Sequence, residues 1–262
     1  MMLDGLLGDL SAEGDRLRVV VADLDAGSWA TDTPAAGWTV ATQVAHLLWT
    51  DETATIAARA HADQARWDAL MLVAMADPAG FVDNGALELS RLPPSELLAR
   101  WDTARTTLAT ALRALPEGVK MPWFGPPMSG ASMVTARFME TWAHSLDVHD
   151  ALGLEPEVTD RIRHVAHIGV RTRGYSFAAN GLDVPAADVR VGLTAPSGET
   201  WTWGADEAPE SVTGSALDFC MLVTQRVHRD DTDLVADGAG AEAWLRIAQC
   251  FAGPAGNGRD KR

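Results

Sequence analysis

Arg137-Phe-Met-Glu-Thr-Trp-Ala-His-Ser-Leu-Asp147 is the stretch whose reading decides the fold. Its apolar residues Phe138, Met139, Trp142 and Leu146 recur at three and four, the spacing of a helix with one buried face. Glu140 and His144 are one turn apart in it, so a carboxylate and an imidazole project from the same side. Far upstream, Gly37-Trp-Thr-Val-Ala-Thr-Gln-Val-Ala-His-Leu-Leu48 reads as a second helix and carries His46. The three residues make a two-histidine, one-carboxylate set, the ligand count of a catalytic zinc or similar metal site with an open position.

Outward from these stretches the pattern stays helical to about residue 180. Helices are expected over about 2–25, 38–61 with Thr39 as N-cap, 62–77, from Ser95 as cap to about 115, 131–152 ending at Gly153, and 158–180. The Pro- and Gly-rich segment 116–130 carries Met121, Trp123, Phe124 and Met128, an apolar loop that either lids a pocket or packs on the core. After Gly181 the character changes. Asp188–Thr194 and Glu199–Trp203 alternate as strands around the turn Pro196-Ser-Gly198, a β-hairpin. Helices follow at about 214–228 and 240–251, with a short strand at Thr232–Val235. The fold class is mainly α: an all-helical domain over 1–181, then a small α+β domain over 182–262.

The chain has 262 residues, 47% of them hydrophobic, with ten tryptophans, enough for one large or two modest cores. Lys plus Arg number 21 against 36 Asp plus Glu, a net charge of −15 that repels phosphate backbones and anionic membranes. Neither nucleic acid nor a membrane is expected as a partner. Cys220 and Cys250 sit in apolar helical patterns and read as buried free thiols of a reducing cytosol. The opening residues lack a basic start and a sustained apolar run, and no stretch reaches about 18 uninterrupted apolar residues, so the expected location is the cytoplasm.

A single histidine in an amphipathic helix is more often a satisfied polar residue than a ligand. Val44, Ala45, Leu47 and Leu48 around His46 send it toward the interior, where an imidazole needs a partner or a metal. For Glu140 the competing reading is a salt bridge within its own helix, with Arg137 as partner. Asp147, a turn past His144, is placed to orient the imidazole from behind, or to cap or pair at the surface. Arg226 reads as a surface residue or as a contact for an anionic ligand.

These segments resemble the mycothiol-dependent maleylpyruvate isomerase-like proteins of actinobacteria, within the DinB-like superfamily of metal-binding four-helix bundles. The resemblance runs through Gly37-Trp-Thr-x-x-x-x-Val-Ala-His-Leu47 and Arg137-x-x-Glu-x-Trp-x-His-x-x-Asp147. Leu193-Thr-Ala-Pro-Ser-Gly-Glu-Thr-Trp201, Thr213-Gly-Ser-Ala-Leu-Asp-Phe219 and Ala248-Gln-Cys-Phe-Ala-Gly-Pro254 look like a metal-binding subgroup, some of whose members carry the label of wyosine base formation. The resemblance implies zinc held by His46, Glu140 and His144, with Arg226 as counterpart of an arginine near the metal. It further implies a low-molecular-weight thiol, mycothiol, attacking a small electrophilic substrate in S-transfer or isomerisation. Metal-assisted hydrolysis and a non-enzymatic metal sensor are the rivals, and a homodimer is compatible with the sequence. Base modification in tRNA conflicts with the charge of −15 and the missing cluster cysteines.

Overall fold

A computed structural model describes residues 2–261. The chain divides into two compact units, Met1–Pro156 and Glu157–Arg262. The first holds α1 (Met2–Val21), α2 (Ala26–Trp29), α3 (Val40–Arg59), α4 (Gln64–Ala76), α5 (Phe81–Leu89), α6 (Pro94–Arg113) and α7 (Gly130–Leu152). Four of these make the bundle: α1 packs on α7, α7 on α3, α3 on α6, and α6 closes back on α1. Among the described residues no helix is long and apolar enough to cross a membrane.

The bundle is built around α3. Its start is set by Thr39, whose hydroxyl accepts from the Thr42 N–H at 3.3 Å, so the expected cap is present. Leu47 and Leu48 pack with Leu17, Val21, Leu97 and Trp101, all essentially removed from water. Burying a Leu or Val side chain stabilises by about 1.5–3 kcal/mol, so this seam holds the bundle shut. Thr42, Gln43, His46, Thr50 and Asp51 are nonetheless buried on the same helix. A helix so enclosed obliges each of those polar groups to find a partner inside. The other ligand-bearing helix, α7, starts from Ser129, which accepts from the Ser132 N–H, and stops at Gly153, which takes the left-handed φ of 66° that a Cβ would resist.

Two local expectations differ from what forms here, and one reading left open is decided. Residues 81–89, given no element by the sequence, are α5, whose Ala86 packs with no exposure. Ser95 lies inside α6 rather than capping it; Pro94 occupies the first turn, where its missing N–H costs nothing and its ring presets the helical φ. In the apolar loop, Met121 and Met128 bond to each other's backbone, and Met121 is buried in the cluster with Leu108, Leu112 and Met133.

The second unit contains α8 (Arg163–Arg171), α9 (Arg173–Ala179), β1 (Val189–Thr194), β2 (Thr200–Trp203), β3 (Glu210–Ser215), α10 (Ala216–Val223), β4 (Val235–Asp237) and α11 (Ala239–Ile247). The expected hairpin forms, with Leu193 opposite Trp201. The sheet order is β2-β1-β3-β4, and β1 pairs with β3 in parallel. The boundary expected at 181/182 falls inside this unit, because α8 packs on α10 and α9 on α11. The single helix expected over 158–180 is broken at Thr172, whose hydroxyl bonds back to the carbonyls of Ile168 and Gly169. β3 was not anticipated: Val212 is its one buried residue, so it lacks the apolar alternation that marks a strand. The helix expected to reach 228 ends at Val223; Gln225 then takes a φ of 58°, and Arg226 lies outside the helix.

Candidate metal centre

His46 enters the site from α3, Glu140 and His144 from α7. The Nε2 atoms of both imidazoles lie 3.2 Å from the same carboxylate oxygen, Oε2 of Glu140. The two rings are 4.4 Å apart between centroids, so they converge from opposite helices on one point. One ligand atom from each of the three residues lies within 4.8 Å of the other two. A tetrahedral ion bonded at roughly 2.0–2.1 Å needs donors about 3.3 Å apart, and two of the three separations here match that spacing. Nitrogen, nitrogen and carboxylate oxygen are donors that suit zinc and its neighbours.

The surroundings are half dry. The side chains of His46, His144 and Glu140 are 8%, 12% and 24% exposed, so the carboxylate is the member that faces outward. Trp38 stacks on His144 at 5.8 Å and tilts over His46 at 5.2 Å, shielding both rings with one indole. Burial by itself would push the Glu140 carboxyl up; hydrogen bonding by His144 and His46, with their charge, outweighs it and holds the carboxyl well below its ordinary range. The group therefore stays anionic, as a ligand must.

Glu140 does not pair with Arg137. Arg137 donates from Nε to Asp51 on α3 at 2.9 Å, and Trp101 Nε1 donates to the second carboxylate oxygen at 3.2 Å. Asp147 is buried, with 1% exposure, on the turn after His144. Gln43 supplies a hydrogen-bond partner for the outer nitrogen of His144, Nδ1. Arg226 belongs to the second unit and donates to the carbonyl of Thr224. Other histidines are engaged elsewhere: Nδ1 of His149 donates to the Ser145 carbonyl, and that of His61 to the Ala58 carbonyl.

Gln43, Trp38 and Asp51 were not singled out from the sequence. Gln43 carried one signal, a lone amide three residues before His46 among residues that face the core. Asp51 carried none, since an acid after Trp49 and Thr50 reads equally well as a solvated position.

The family model described as mycothiol maleylpyruvate isomerase N-terminal domain matches residues 10–149, and the one described as wyosine base formation matches residues 185–237. Two uncharacterized proteins, from two strains of Mycobacterium tuberculosis, are each 54% identical over 253 residues, 97% of this chain and 97% of theirs. The crystal structure of the mycothiol-dependent maleylpyruvate isomerase is similar with a TM-score of 0.60 at 14% identity, over 89% of this chain and 92% of that one. A histidine-to-alanine variant of that enzyme gives 0.59 at 13% identity over the same shares. At such identity the likeness to the two structures is one of fold.

Proposed function

This chain belongs to the mycothiol maleylpyruvate isomerase N-terminal domain family, and from that membership and the His46–Glu140–His144 cluster we propose a divalent-metal enzyme, with zinc as its ion. It would use a low-molecular-weight thiol such as mycothiol for S-transfer to, or isomerisation of, a small electrophilic substrate. The observation that carries the reading is the convergence of two imidazole nitrogens on one carboxylate oxygen held ionised.

When bound there with a vacant position, such an ion holds a thiol as thiolate at neutral pH. The chain's own residues do the rest. His46 and His144 would bind through Nε2 and Glu140 through Oε2, and the thiol proton would pass to solvent, because a carboxyl held well below its ordinary range is a poor base. Trp38 walls off one side of both imidazoles, and the partial exposure of Glu140 marks the side from which a small molecule arrives. In this reading the outer nitrogen of His144 goes to Gln43, and Asp147 lies buried on the next turn. The net charge of −15 favours small-molecule partners over nucleic acid, and a cytoplasmic setting keeps the thiol reduced.

Elemental analysis of the purified protein tests the site. Stoichiometric metal is expected in the wild type and its loss in His46→Ala and His144→Ala; retention by both variants overturns the site. Incubation of the metal-loaded protein with an electrophile, with and without thiol, tests the reaction. Turnover that needs no thiol replaces the proposal with metal-assisted hydrolysis.

A further inference from the structure

We infer that Gln43, held in place by Thr33, is a positioning residue that fixes the tautomer of His144 and so presents its Nε2 lone pair to the metal position. The inference deepens the metal-site reading above and rests on it. It starts from the loop between α2 and α3, where the N–H and the hydroxyl of Thr33 both donate to the carbonyl of Trp38, at 2.8 and 2.9 Å. A hydroxyl has one hydrogen, so with that spent on Trp38 the Thr33 oxygen acts as acceptor. It accepts from Nε2 of Gln43 at 2.8 Å.

With its NH2 turned to Thr33, the Gln43 amide presents Oε1 to Nδ1 of His144, in a close hydrogen bond. An amide oxygen only accepts, so Nδ1 must carry the hydrogen. A neutral imidazole has a single N–H, so in that form Nε2 offers a lone pair toward Oε2 of Glu140, 3.2 Å away, and it donates to that oxygen only when the ring takes a second proton. Lone pair against carboxylate is unfavourable unless a proton or a cation lies between them. Gln43 thus holds the imidazole in the form that binds a metal ion.

His46 is held differently. Its Nδ1 is buried without a hydrogen-bond partner among the described residues, so no such chain dictates which nitrogen carries its proton. The centre therefore combines one imidazole whose tautomer a side chain fixes with one whose tautomer no such chain sets. Gln43 has no solvent exposure, so an amide deprived of Thr33 or His144 has no water to turn to, and the chain from the Trp38 carbonyl to His144 stands or falls together.

The test uses full-length, metal-free protein with 15N-labelled histidine. Long-range 1H–15N spectra of the neutral ring are expected to show His144 protonated on Nδ1. Gln43→Leu and Thr33→Val, the second of which removes a group two links from the ring, should both move that proton toward Nε2, and Thr33→Ser should restore it. Chelator-competition titrations with Zn2+ should show affinity reduced about 10–100-fold in Gln43→Leu. Neutral wild-type His144 protonated on Nε2 overturns the inference, and this measurement needs no variant to fold. A folded Gln43→Leu variant with wild-type Zn2+ affinity overturns it as well. Wild-type protein that shows the Nδ1–H form but binds no Zn2+ leaves the tautomer control standing and overturns the metal reading instead.

Discussion

Arg137 reaches across the bundle from α7 to α3 and donates to Asp51 at 2.9 Å, with the two side chains only 2% and 6% exposed. The pair lies beside the site: Arg137 is one turn before Glu140, and Asp51 is a little over one turn past His46. It ties together the two helices that supply the ligands. It also occupies the arginine that would otherwise neutralise Glu140, so that carboxylate is left to the imidazoles.

Removing one partner of this pair should strand a buried charge. Arg137→Met is expected to lose about 3–5 kcal/mol of stability, while Asp51→Leu combined with Arg137→Met recovers most of it. Urea unfolding of the single and double variants measures this. A single variant within about 1 kcal/mol of the wild type would show that the pair is structurally idle.

The Glu140 carboxyl is held below its ordinary value in the folded protein, so the sign of its pH effect follows. Stability from this group is complete above the unfolded value near 4.5 and is lost as pH falls from there through the lowered folded value. Metal-free wild type should therefore lose stability relative to Glu140→Gln as pH drops from about 6 to about 3. Thermal melts of the two proteins over that range provide the comparison, and parallel curves would refute the linkage.

Thr39 caps the helix that carries His46 and Gln43. Thr39→Ala should cost about 1 kcal/mol, and Thr39→Ser should restore most of it, because serine keeps the accepting oxygen. Because α3 starts at the cap, chelator-competition titrations should also register a weaker Zn2+ site in Thr39→Ala. Unchanged stability in the alanine variant would mean that packing alone sets the start of α3.

Burial pushes the Cys220 thiol well up, with further help from Cys250 nearby. Cys220 is fully buried and should resist iodoacetamide in the native protein while reacting readily after denaturation. Mass spectrometry of the alkylated protein decides it. Rapid native labelling would refute the burial of this thiol.

Much of this molecule was readable along the chain because the signals are local. The i, i+4 pairing of Glu140 with His144, the Thr39 cap, the stop at Gly153 and the Leu193–Trp201 hairpin all arise between near neighbours. Where the readings departed from the structure, a local signal was weak or was overruled. β3 has a single buried residue, α5 sits between stretches with stronger patterns, and the helix expected over 158–180 is interrupted by the Thr172 hydroxyl.

By itself the sequence determined the helical class of the first 150 residues and the shared face of Glu140 and His144, since helix geometry needs only the periodicity of the chain. Tertiary structure alone decided which groups meet across the bundle: His46 with Glu140 over a separation of 94 residues, Arg137 with Asp51 over 86, and Gln43 with His144 over 101. Such pairings have no local signature. They form because α3 is enclosed on nearly every side, and polar groups buried there must satisfy one another.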